Sequence, residues 1–209
     1  MTGIVAQNVG RAAGLIKAAS GGGGVWTLIK TLTSDGSDAT MSFVDGTSDV
    51  VLDSTYPIYK FVFINIHPET DSVQFLFQGN AAGGSGYNET ITSTAFFQHH
   101  REDDSATSLD YRGDDDQAQG SAFQYLAQGV GNDNDQALSG YLHLFAPADT
   151  TFIKHFTATT NYVHASDRSY NHFVQGYFNT TSAIDDIQFK FSADEIQGGK
   201  IKLYGLSDS

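Results

Sequence analysis

The eight residues YKFVFINI, Tyr59 to Ile66, followed at once by His67-Pro68, narrow the options for this chain more than any other stretch. The run is nearly all apolar and rich in aromatic and β-branched side chains. It is too short for a core helix and has the make-up of a strand buried on both faces. Proline ends it, because proline has no N–H to give to a sheet ladder. In the next run Val73, Phe75 and Phe77 point one way, while Gln74, Leu76 and Gln78 point the other. The chain is therefore expected to be built from strands.

The same pattern recurs along its length. Val25 to Lys30 opens it, and Ala39 to Val44 alternates until the turn signal Asp45-Gly46. A threonine-rich strand is expected over Thr90 to Phe97. Leu138 to Phe145 and Thr151 to Thr159 flank the five residues Ala146 to Thr150 and read as a hairpin. Phe173 to Asn179, Ile187 to Ser192 and Lys200 to Tyr204 complete the set, with Ile187, Phe189, Phe191, Ile201 and Leu203 on core faces. Between them lie a polar stretch from Gly79 to Asn88 and a long acidic connection over 99–121. Residues 118–128, AQGSAFQYLAQ, set Ala118, Ala122, Tyr125 and Leu126 on one side and predict a short helix ended by Gly129. About ten strands at regular spacing, with no fixed-period repeat, predict an all-β fold, a β-sandwich of the jelly-roll type. Charged residues at only 17% and aromatics at 12% suit that class.

The first 24 residues differ from the rest. Gly21, Gly22, Gly23 and Gly24 separate a segment with no acid from an acidic body. Residues 1–30 carry Arg11, Lys17 and Lys30, a charge of +3, whereas residues 31–209 carry eight bases and all 24 acids, a charge of −16. Val5, Val9, Ala12, Ala13 and Ile16 fall at helical spacing, but Gly3, Gly10 and Gly14 each cost about 0.8–1 kcal/mol there relative to alanine. Residues 1–24 are therefore read as an extended N-terminal arm with a glycine hinge, and residues 25–209 as the sandwich body. Fully extended, such an arm reaches roughly 70–80 Å at about 3.3 Å per residue. Val5, Val9, Leu15 and Ile16 would be buried on a partner, with Arg11 and Lys17 meeting its carboxylates.

No catalytic motif stands out. There is no cysteine, which excludes disulfides and thiolate chemistry. Gly83-Gly84-Ser85-Gly86 lacks the spacing of a nucleophile elbow, and GGGG precedes a strand and lacks the Lys-Ser/Thr of a phosphate loop. His143 and His155 lie on the two arms of the hairpin, but a zinc site needs further ligands. The neighbours His99 and His100 would point to opposite faces of a strand. The acidic connection is read as a solvated loop. A divalent cation near Asp103, Asp104, Asp114, Asp115 and Asp116 is the alternative, although the alternating ligands of a calcium loop are absent. Gly131 to Asp135 is read as a plain turn. An enzyme and a resident cofactor are not expected. A net charge of −13 argues against nucleic acid. No apolar run is long enough for a membrane helix, and MTGIVAQNVGR lacks the features of a secretory signal, so the glycosylation patterns at Asn88 and Asn179 are read as chance.

Several phrases are familiar: Phe63 to Asp71 (FINIHPETD), Phe75 to Gly79 (FLFQG), Gly176 to Asp185 (GYFNTTSAID), Ile187 to Phe191 (IQFKF) and Ile201 to Gly205 (IKLYG), with Gly14 to Ala18 (GLIKA) in the arm. Together they resemble virion structural proteins of tailed bacteriophages that infect marine bacteria, cyanophages included. The resemblance covers most of residues 24–206 and implies a location in the virion, after synthesis in the host cytoplasm. It brings no catalytic or ligand residues. The function expected is a capsid decoration or cement subunit, a homotrimer or other homo-oligomer, that packs on major capsid or tail proteins and exchanges its arm. The alternative is a tail or fibre adhesin for host glycans, with Tyr87, Tyr111, Tyr162 and Tyr170 stacking on sugar rings.

Overall fold

A computed structural model describes residues 24–208. The arm positions Val5, Val9, Arg11, Leu15, Ile16 and Lys17 and the hinge residues Gly21, Gly22 and Gly23 lie outside the described residues. Within them every regular element is a strand. These are β1 (Trp26–Thr33), β2 (Met41–Val44), β3 (Ile58–Pro68), β4 (Val73–Ala81), β5 (Ile91–Arg101), β6 (Thr107–Tyr111) and β7 (Ala118–Gly120), then β8 (Gln124–Val130), β9 (Leu138–Phe145), β10 (Lys154–His164), β11 (Arg168–Phe178), β12 (Ile184–Phe191) and β13 (Ile196–Leu206). All pairings are antiparallel.

The strands form one sheet folded into two layers, a β-sandwich. The larger layer runs β1-β13-β3-β9-β10-β11-β5, with β6 and β7 beyond β5. The smaller runs β8-β4-β12-β2. A single residue pair, His164 with Val130, joins β10 to β8 at the corner. The long-range pairs are nested: β3 with β13, β4 with β12, β5 with β11, and β9 with β10 innermost. Such nesting is that of a rolled-up hairpin. The innermost hairpin, however, sits between β3 and β11 in the larger layer, so the strand order differs from the two four-stranded sheets of a jelly roll.

Phenylalanine fills the space between the layers. Phe61 and Phe63 of β3 project from the larger layer onto Phe43 of β2, Phe75 of β4 and Phe189 of β12. Farther along, Phe77 of β4 meets Phe156 of β10 and Phe178 of β11, at ring distances of 4.9 and 6.1 Å. All of these are buried, and such aromatic pairs add about 0.5–1.5 kcal/mol each beyond their area burial.

The strand at 59–66 differs in detail from its sequence reading. Tyr59, Phe61, Phe63 and Ile66 are buried, whereas Lys60, Val62 and Ile64 are half-buried on the outer face. The odd–even order breaks because the register slips between Phe63 and Ile66, where Asn65 takes a φ of 49°. Gly199 of β13 faces this bulge with a φ of 108°, and a Cβ there would stand 2.5 Å from the Asn65 carbonyl oxygen.

Residues 118–128 are not a helix. They form β7 and most of β8, and β8 pairs with β4 through two register shifts that blur its period. The acidic connection is also shorter than expected. β5 runs on to Arg101, and β6 pairs back along it from Phe96–Tyr111 to His100–Thr107. In the hairpin, β9 has the expected bounds, but β10 starts at Lys154 because Asp149 accepts hydrogen bonds from the Thr151 and Phe152 amides. The Lys154 ammonium is buried and donates to the carbonyls of Phe152 and Thr180 at 2.9 and 3.4 Å.

Candidate functional site

The outward face of the larger layer is ordered in rows by strand register. One row sets Leu109 beside Gln98, Asn171, Asn161 and Ser139. The next sets Tyr111 beside Phe96, Phe173, Thr159 and Tyr141. The third carries Thr94, Gln175, Thr157 and His143, and continues through Lys60 and Tyr204 to Leu28. The fourth carries Thr92 and Tyr177, with His155 next to Tyr177. Phe96 and Phe173 stack at 4.7 Å with their rings nearly parallel, and are half-buried. A cleft of about 750 Å³ opens over the first row, walled by Thr107 and Leu109 of β6 and floored by Gln98 and Asn171. A second depression of about 280 Å³ lies beyond the aromatic row, lined by Thr94, Thr157, Gln175 and Tyr177.

The same face ends in an aromatic patch at the root of the arm. Trp26 and Leu28 of the edge strand β1 are 40% and 50% exposed. Lys60 lies over the Tyr141 ring at 4.6 Å and over the Trp26 ring at 5.6 Å. His143 fits between Trp26, at 5.9 Å, and Tyr141, at 5.0 Å. Burial and the nearby Lys60 hold the His143 imidazole below its ordinary pKa, so it is neutral at physiological pH. Gly24 packs directly on β13: a Cβ on it would stand 2.5 Å from the Ser207 carbonyl oxygen. The chain therefore enters the body beside exposed apolar surface.

No family model, curated protein or solved structure matches this chain.

The expected site residues disperse. His143 pairs with Thr157, which puts His155 one row away on the same face, where it packs on Tyr177. His99 and His100 do point to opposite sides: His99 stacks on Tyr170 inside, and His100 reaches Asp104 at 2.9 Å outside. The carboxylates near them take separate partners. Asp103 pairs with Arg101 at 3.3 Å, and Asp116 accepts from the Tyr111 hydroxyl. Among the described residues no three histidines and carboxylates gather as a metal site. Of the tyrosines named for sugar stacking, Tyr162 and Tyr170 are interior and stack on each other at 5.3 Å. Tyr111 is exposed and Tyr87 half-buried.

Asp115 departs most from expectation. Its carboxylate is turned inward, with its side chain 1% exposed, 3.2 Å from the Arg112 Nε and 3.5 Å from the His172 Nε2. Buried Gln124 draws the segment in by donating to the Asp115 carbonyl at 2.6 Å while accepting from Ser93. Gln78, also buried, donates to the carbonyls of Glu89 and Ala122. Gln124 thus fastens the stretch read as a solvated loop, and Gln78 holds its end by donating to the Ser121 carbonyl at 3.3 Å. Local sequence offered one signal of this, Arg112 three residues before Asp115, while His172 is distant in the chain.

His172 makes the cluster sensitive to acid. Burial, followed by Arg112, pulls its imidazole from 6.5 down to about 4. An unfolded chain takes up that proton near pH 6.5, whereas the folded protein does so only near pH 4. Acidification between those values therefore favours unfolding, by up to about 3 kcal/mol. Asp115 acts in the opposite sense. Burial raises its carboxyl above the ordinary 3.8, against the pull of Arg112, so the folded state holds that proton more tightly. His172→Gln removes the imidazole contribution. Urea unfolding at pH 7, 5.5 and 4 should show the wild type losing stability relative to this variant as pH falls, and a constant gap would refute the assignment.

Proposed function

We propose that this protein is a non-catalytic assembly subunit, whose sandwich body is joined to neighbouring copies or partner proteins through β1 and the segment before it. The observation that carries this reading is the position of Trp26 and Leu28. They stand exposed on an edge strand, at the point where Gly24 leads out of the body. An edge strand has unpaired backbone groups on one side and is the natural place for another chain to add. The charge supports a like partner, since residues 1–30 carry +3 and the remainder −16. Each exposed ion pair contributes only about 0.2–1 kcal/mol, so apolar burial at Val5, Val9, Leu15 and Ile16 would supply most of the affinity. The setting in a phage virion, as a capsid decoration or cement subunit, rests on the resemblance of the strand phrases alone.

Deleting residues 1–20 tests this. The truncated body should stay soluble and keep its melting temperature, while sedimentation shows it monomeric at concentrations where the full chain associates. A full chain that sediments as a monomer at high concentration would rule out joining to neighbouring copies through this segment.

A further inference from the structure

We propose that the outward face of β5, β10 and β11 binds a neutral oligosaccharide, a role independent of assembly through β1. The first support is charge. This protein has 24 acids and 11 bases, and exposed positions ordinarily carry such residues. Yet the outward positions 92–100 of β5, 155–161 of β10 and 169–177 of β11 include no Asp, Glu, Lys or Arg. What stands there is hydroxyl, amide, imidazole and aromatic. Such a surface suits a ligand that is uncharged and dense in hydroxyl groups, and the acidic body would repel an anionic one.

The second support is arrangement. Threonine on an open face follows from β-propensity, but asparagine is depleted in strands. Gln98, Asn171 and Asn161 nevertheless stand side by side in one row. The Asn161 amide is fixed by donating to the Tyr170 carbonyl at 2.7 Å, which leaves its oxygen as an acceptor. Among the described residues the Gln98 and Asn171 amides have no hydrogen-bond partner. These groups match the paired donor and acceptor character of sugar hydroxyls. One row along, Phe96 and Phe173 turn their ring faces to each other, and together they offer an apolar ridge against which the C–H face of a sugar ring can pack.

The third support is length. Polar, aromatic, polar and aromatic rows follow one another at about 6.6 Å, covering roughly 20 Å from Gln98 to Thr92. The cleft of about 750 Å³ at one end is within the range of about 300–1,000 Å³ typical of ligand sites. A chain of several rings fits this repeat better than a single sugar.

The test is titration calorimetry of the full-length protein with hexasaccharides of β-linked glucose, mannose and galactose, beside a hexasaccharide of uronic acid. At least one neutral hexasaccharide should bind with a Kd of about 10 μM to 1 mM, and the uronate should not. Phe173→Ala and Asn171→Leu should each weaken binding about tenfold, with melting temperature confirming the fold. Amide chemical-shift mapping on the wild type should place the changes on 92–100 and 169–177, which keeps the test decisive if a variant does not fold. Four results would overturn the proposal: no binding of any neutral hexasaccharide, preference for the uronate, shifts elsewhere, or substitutions that alter oligomeric state while sugar binding stays unchanged.

Discussion

Phe189→Ala is expected to lower unfolding stability by about 3–5 kcal/mol, a large share of the roughly 5–15 kcal/mol of a typical domain. The Phe189 ring lies 5.2 Å from Phe63, 5.3 Å from Phe61 and 6.0 Å from Phe75, with Phe43 and Phe77 at 6.3 Å. It therefore touches both layers, and its loss leaves a void that four strands would have to collapse to fill. Phe189→Leu keeps much of the volume and should cost less than half as much. The urea midpoint measures both. A loss under about 1 kcal/mol for the alanine variant would mean that the layers can close on the gap.

Arg112→Ala is expected to be comparably damaging at neutral pH, by about 3–5 kcal/mol, because it leaves a buried carboxylate without its cation. The guanidinium serves three neighbours. It pairs with Asp115, donates to the Gln128 side-chain oxygen at 2.5 Å and covers the Phe97 ring at 5.0 Å. Burial already raises the Asp115 carboxyl above its ordinary value, and losing the Arg112 cation would raise it further, so the damage should shrink as pH falls toward 5. Asp115→Asn in the Arg112→Ala background removes the stranded charge and should recover part of the loss at pH 7. Unfolding curves of the single and double variants at pH 7 and 5 check both statements. Equal losses at the two pH values would mean that the packing on Phe97, not the ion pair, accounts for the effect.

Periodicity makes much of the sandwich readable in the sequence. Phe75, Phe77, Phe189 and Leu203 sit on the core side as alternation predicts, and Leu138–Phe145 has its expected bounds. Residues 118–128 misled because Ala, Gln and Leu favour helices, and because the two register shifts of β8 bury Leu126 and Ala127 side by side. Alternation cannot survive that. The acid run misled for another reason: Asp115 is turned inward onto Arg112 and His172 and its carbonyl is held by Gln124, and none of these looks like a core residue in sequence. The row of Gln98, Asn171 and Asn161 was out of reach as well. It exists only through the pairing of β5, β11 and β10, and no one strand carries more than one of its members. Tyr162 and Tyr170 were read as surface residues although each occupies an even-numbered core position on its strand.

The nested pairing has a consequence for how the chain is made. β13 is the partner of both β1 and β3, and β12 of both β2 and β4. Until β12 and β13 emerge from the ribosome, β1 and β2 have no neighbour at all, and β3 and β4 have only one each, β9 and β8. Their phenylalanine-rich faces must wait, and long-range pairing of this kind closes slowly. Nascent chains held in that state are the ones most exposed to sticking together, so yield in the cell should depend on chaperone supply and on synthesis speed more than on the stability of the finished protein.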